Sequence, residues 1–103
     1  MSYLDMDQLI ARVVGWAEDK DLLHKENAHF QMLKVVEEIG EVAAGMARKD
    51  EEAIIDGIGD SFVTLIILAK QLDQDPKDCL VKAWEEIKNR TGKTEDGVFI
   101  KDE

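Results

Sequence analysis

A chain of 103 residues, 45% hydrophobic and 35% charged with one proline, is expected to fold as one helix-rich domain near the lower size limit for a single core. Its net charge of −10 argues against a nucleic-acid polymer as ligand, because that binding depends on lysine and arginine replacing counterions along phosphates. The longest nearly unbroken apolar run, FVTLIILA at 62–69, falls well short of a membrane span, and the lone Cys79 excludes an intrachain disulfide.

With no basic-then-apolar leader, a cytoplasmic location is the expectation, and any phosphate ligand is expected to arrive with a cation. Met6, Leu9, Ile10, Val13, Val14 and Ala17 recur at helical spacing and predict a first helix from about Asp5 to Lys20. DLLHKENAH then interrupts the pattern. His24 and His29 stand five residues apart, which does not put them on one helix face, so no chemistry is assigned to them.

Phe30, Met32, Leu33, Val35, Val36, Ile39, Val42, Ala43 and Met46 predict a second helix from near Asn27, its expected cap, to near Arg48. A third is expected after Asp50, a cap candidate, through Ile54, Ile55, Ile58, Phe62, Leu65, Ile66 and Ala69 to about Leu72. Asp75 as cap and Pro76 in the first helical position open a fourth, expected to reach about Arg90. The tail has an Asp96-Gly97 turn signal and a β-prone VFI stretch, and is expected to form a loop or small hairpin.

From Phe62 to Leu72 apolar side chains occur at every angle of the helical wheel. A helix apolar all round is normally enclosed by others, and three further helices offering one stripe each are too few. A homodimer or homotetramer packed through the third helix is therefore expected.

The chemistry-bearing residues lie on the second and third helices. Glu37 and Glu38 are each placed to share a face with Glu41, and Asp56 with Asp60, because residues three or four apart on a helix are neighbours. On the wheel the two aspartates share a stripe with Val63 and Ile67. Carboxylates packed without partners on such a face cost several kcal/mol each or take up protons. Oxygen donors without a nearby histidine or cysteine suit a hard cation, Mg²⁺ or Mn²⁺, better than Zn²⁺. Gly40, Gly57 and Gly59 are expected to permit close approach of a backbone or a ligand. The bland alternative is that the acids form a solvated helix face.

These residues carry a resemblance. KVVEEIGEVAAG at 34–45 followed by IIDGIGDSFVTLIILAKQL at 54–72 is similar to the MazG-like nucleoside triphosphate pyrophosphohydrolases of the all-α pyrophosphatase superfamily, over most of the chain. The C-terminal WEEIKNRTGKTEDGVFIK at 84–101 resembles the ending of small phage and bacterial members. The family signature pairs E-x-x-E on one helix with E-x-x-D on the next, and Glu38, Glu41 and Asp60 match three of its four positions. The remaining glutamate falls at Gly57, and Asp56, one residue earlier, is the substitute on the side of Asp60.

The resemblance implies an all-α four-helix MazG-like bundle with a short C-terminal tail, assembled as a homo-oligomer, Mg²⁺-dependent, and cleaving a nucleoside triphosphate to the monophosphate and pyrophosphate. On that reading Glu38, Glu41, Asp56 and Asp60 are metal ligands, and Glu37 and Glu38 are the catalytic carboxylates, Glu37 either as a ligand or as the base toward water.

Lys34 is either a triphosphate contact or an ion-pair partner of Glu38, and Lys88, Arg90 and Lys93 are either phosphate contacts or solvated surface. Trp16, Phe30 and Trp84 are either core residues or stacking platforms for a base, Trp16 being the first choice for the base. Competing readings are a related pyrophosphatase resembling dimeric dUTPases or phosphoribosyl-ATP pyrophosphohydrolase, and a non-catalytic acidic interaction protein. A carboxylate-bridged redox-metal bundle is disfavoured, because it draws a Glu-x-x-His motif from each of two helices and the chain has a single one, Glu26 to His29, in the segment that interrupts the helical pattern.

Overall fold

The computed structural model describes residues 3–103. Asp5 starts the first helix, α1 (Met6–Asp19), with a capping box: its carboxylate accepts from the Gln8 amide at 2.8 Å, and the Gln8 side chain accepts from the Asp5 amide at 2.9 Å. A single 3-10 turn at Lys25–Asn27 leads into α2 (Ala28–Arg48). Asn27 occupies the cap position, but its side chain makes no capping hydrogen bond, so the expected cap is present in place and missing in function.

α2 ends in a left-handed residue, Lys49 at φ 56°, and the Asp50 amide donates back to the Gly45 carbonyl at 2.9 Å. This is the geometry that closes many helices, here without a glycine. The turn is immediate: Asp50 caps α3 (Glu51–Gln71) by accepting from the Ala53 amide at 3.1 Å. A two-residue connection makes α2 and α3 antiparallel neighbours along their length, and this hairpin of helices is the body of the molecule.

α1 packs on α3. Among the described residues the buried apolar side chains come one from each of the three helices: Ala17, Val35 and Ile67. Two glutamines lock the arrangement across long sequence separations. Gln31 donates to the Thr64 carbonyl at 3.1 Å, and the buried Gln71 donates to the Leu22 carbonyl at 2.8 Å, fixing the loop after α1 against the end of α3.

α4 (Pro76–Ile87) starts as expected, with Asp75 accepting from the amides of Lys77 and Asp78. It stops three residues before Arg90, where Asn89, Thr91 and Gly92 are weak helix formers. α4 rests on α3 and contributes no buried residue; an exposed pair, Lys77 with Asp7 at 3.0 Å, links its start to α1. The tail is a hairpin, β1 (Gly92–Glu95) antiparallel to β2 (Val98–Lys101). Its two-residue turn has positive φ at both Asp96 (51°) and Gly97 (78°), the twist that matches flanking strands.

The four helices make the fold all-α. However, α3 is not enclosed by its own chain: Ile55, Ile58, Phe62 and Leu65 stay exposed, as do Leu33, Val36, Ile39 and Met46 of α2. No helix is long and apolar enough to cross a membrane.

Candidate metal and phosphate site

The helical repeat brings Glu37, Glu38 and Glu41 of α2 together, and one carboxylate oxygen from each lies within 4.8 Å of the others. Glu37 and Glu41 are exposed, whereas Glu38 is half-buried and its Oε2 is shut away from solvent without a hydrogen-bond partner. Burial raises the Glu38 pKa, and the neighbouring charges of Glu41, Asp60 and Glu37 push it the same way, with only Lys34 opposing them. Lys34 pairs with Glu37 rather than Glu38, at 3.4 Å between exposed groups, an interaction of little energetic weight.

Asp56 and Asp60 stand across from this triad on α3. With Glu41, Ala44 and Arg48 of α2, and Ala53 and Gly57 of α3, they line one open cleft of about 450 Å³. Both aspartates are exposed, so the burial cost expected for them on a partly apolar stripe does not arise. That cost falls on Glu38 alone. Asp60 is close enough to act electrostatically on Glu38, but neither aspartate joins the tight α2 triad.

Gly57 explains the departure at the fourth acidic position. A Cβ there would lie 2.8 Å from Val42 Cγ2 and 3.3 Å from the Val42 amide nitrogen, so the residue sits where α3 presses on α2. A glutamate at this point would have to part the helices, whereas Asp56 has open cleft before it. Of the three glycines expected to serve close approach, Gly57 alone does so within the chain, since Gly40 and Gly59 have open space around them. Gly45, which the sequence pattern did not single out, is the second contact, 3.2 Å from Ala53 Cβ.

The remaining candidates do not line this cleft. Lys88 pairs with Glu85 at 2.6 Å, Lys93 with Glu95 at 2.9 Å, and Arg90 lies between α4 and the hairpin. Trp16, Phe30 and Trp84 are exposed, so none is a core residue of the single chain, and none borders the carboxylates in the cleft. The residue that sequence reasoning passed over is Arg48. It follows Glu41 by seven residues, two helical turns, and so shares its face; that spacing was the available signal.

The family model for the MazG nucleotide pyrophosphohydrolase domain matches residues 26–94. The chain belongs to this family. The MazG match takes in every carboxylate of the site, together with Lys34 and Arg48, and leaves α1 before its start. A relative within reach is an uncharacterized 18.2 kDa protein from the rep-hol intergenic region of Haemophilus phage HP1, 43% identical over 67 residues. The matched segment covers 65% of this chain and 41% of the phage protein, so the chain spans well under half of that relative's length. No solved structure matches the chain.

The donor set of this MazG domain is all oxygen, and one of its oxygens is buried without a partner. Such a set fits a hard divalent cation, which would satisfy the orphaned Glu38 Oε2 and offset the mutual repulsion of the three glutamates.

Proposed function

We propose that this MazG domain is a Mg²⁺-dependent nucleoside triphosphate pyrophosphohydrolase that converts a ribo- or deoxyribonucleoside triphosphate to the monophosphate and pyrophosphate. The observation that carries the reading is the buried, unpartnered oxygen of Glu38 inside a triad of glutamates. An acidic surface evolved only for solubility has no reason to hold a carboxylate there, since an unpaired buried charge is costly.

On this reading Glu38 and Glu41 from α2, with Asp60 and Asp56 from α3, hold Mg²⁺ or Mn²⁺. When bound, the cation supplies charge neutralisation at the phosphate oxygens and orients water. A water oxygen bonds to the α-phosphorus, the oxygen bridging to the β-phosphorus leaves on pyrophosphate with the bonding electrons, and Glu37 takes the proton from water. Glu37 suits that task because it is exposed and already beside Glu38. Lys34, tethered only loosely to Glu37, is free to swing toward the phosphates.

The assembly belongs to the same proposal. Ile39, Val42, Ala43, Ile58, Phe62 and Leu65 border a second, apolar cleft of about 450 Å³ along α2 and α3, and covering it with another copy would enclose α3. The decisive test of the activity is Mg²⁺-dependent pyrophosphate release across the ribo- and deoxyribonucleoside triphosphates, with dUTP and phosphoribosyl-ATP in the panel. Release from one or more nucleotides, abolished by chelation, is expected; no release from any of them defeats the proposal.

A further inference from the structure

The cleft that holds Glu41, Asp56 and Asp60 has one cation in its wall, Arg48. Five of the thirteen lysines and arginines, Lys25, Lys34, Lys77, Lys88 and Lys93, are matched with carboxylates within 4 Å, and what sets Arg48 apart from the others is its place in this cleft. Arg48 shares a cleft with three carboxylates, yet its guanidinium makes no ion pair or side-chain hydrogen bond among the described residues. Its place on α2 matters too: helical side chains lean toward the helix N-terminus, so Arg48, two turns beyond Glu41, leans back over the cleft.

A free guanidinium is matched to phosphate, since its planar fork donates two parallel hydrogen bonds to a pair of phosphate oxygens. We propose that Arg48 binds the pyrophosphate portion of the triphosphate, the β- and γ-phosphates, and stabilises it as it departs. This rests on the pyrophosphohydrolase reading above. On that reading the carboxylates would hold the cation beside the α-phosphate, and Arg48, in the last turn of α2 next to the α2–α3 connection, would lie toward the β- and γ-phosphates. Negative charge builds on the leaving group as the bond to the α-phosphorus breaks, and a positioned cation there acts on the transition state more than on the bound substrate.

A merely structural role is the alternative, because a basic residue in the last turn of a helix favours the helix dipole. Arg48→Lys separates the two: it keeps the charge at the helix end and loses the fork. The experiment measures kcat and KM, inhibition by pyrophosphate and by the nucleoside monophosphate, and thermal midpoint for the wild type, Arg48→Lys and Arg48→Ala. Arg48→Ala is expected to lower kcat/KM by about 100-fold, chiefly in kcat, and to weaken pyrophosphate inhibition, with monophosphate inhibition and the thermal midpoint unmoved. Arg48→Lys is expected to fall between. Equal pyrophosphate inhibition and kcat/KM in all three proteins, or Arg48→Lys matching the wild type throughout, overturns the assignment.

Calorimetric titration of the wild type with pyrophosphate in Mg²⁺ keeps this question apart from the activity. If no nucleotide is hydrolysed but pyrophosphate binds the wild type and not Arg48→Ala, the binding assignment stands and the enzymatic reading falls. If the wild type binds no pyrophosphate, Arg48 is not its ligand.

Discussion

Gly57 of α3 lies so close to Val42 of α2 that a β-carbon on the glycine would sit 2.8 Å from Val42 Cγ2. This contact is a point of close approach between the two helices that carry the carboxylates, and it leaves no room for a side chain at position 57, whereas Asp56 lines the open cleft. Gly57→Ala is expected to destabilise the protein by about 1 kcal/mol net, overpacking against the stiff valine exceeding the gain in helix propensity. Gly15→Ala, where nothing lies within 4 Å, is expected to stabilise by about 0.5–1 kcal/mol. Denaturant midpoints of the two variants moving in the same direction would contradict the packing argument.

Glu41→Gln and Asp60→Asn each remove one anionic oxygen donor without changing shape. A loss of at least about 100-fold in Mg²⁺-dependent pyrophosphate release is expected from each, with circular dichroism unchanged, on the scale typical of lost electrostatic stabilisation of a transition state. Folded variants of undiminished activity would remove these residues from the site.

Glu38 has a pKa raised from the ordinary 4.5 by its own burial and then by Glu41, Asp60 and Glu37. In metal-free buffer, at pH values between its unfolded and folded pKa, the folded state therefore keeps a proton that the unfolded state has already released. Stability contributed by this group is complete below the unfolded pKa and is lost as pH rises through the folded value. The thermal midpoint in chelator is expected to fall across that interval for the wild type and to stay flatter for Glu38→Gln, while added Mg²⁺ raises the wild-type midpoint at neutral pH. Identical pH profiles for the two proteins would show that Glu38 is not the strained group.

Asp50 and Asn27 make a matched pair of cap positions, one with a side-chain hydrogen bond and one without. Asp50→Ala is expected to cost about 1 kcal/mol, a fall of roughly 4–8 °C in a domain of this size, and Asn27→Ala a few tenths of that at most. Calorimetric melting of both variants tests the difference.

The exposed apolar faces of α2 and α3 lead to an expectation about mass in solution. Phe62 is 57% exposed in the single chain. Light scattering is expected to give a dimer or tetramer for the wild type, and Phe62→Glu is expected to dissociate it, because a charge cannot be buried in such an interface without a partner. A stable monomeric wild type would leave the apolar cleft without an occupant.

The starts of α1, α3 and α4, the turn at Asp96-Gly97 and the pairing of Glu37 and Glu38 with Glu41 were legible in the sequence, because each depends on residues within about four positions of one another. α4 ends at Ile87, short of the Arg90 that helical spacing predicts, since no strong breaker precedes Gly92 and only the hairpin beyond requires the chain to turn. The family was legible too, since its signature is a pair of short helical spacings.

What the tertiary structure decided concerns how α2 meets α3. Helical periodicity orders side chains around one axis and carries no information on the distance to another, so it could not tell which glycine was the contact point. It placed the aspartates on a stripe with Val63 and Ile67, whereas the packed helices leave them in an open cleft and bury an oxygen of Glu38 instead. Arg48 gained its meaning in the same way: on the sequence it is the end of a helix, and with α3 folded back across the turn it becomes the one cation in the wall of an acidic cleft.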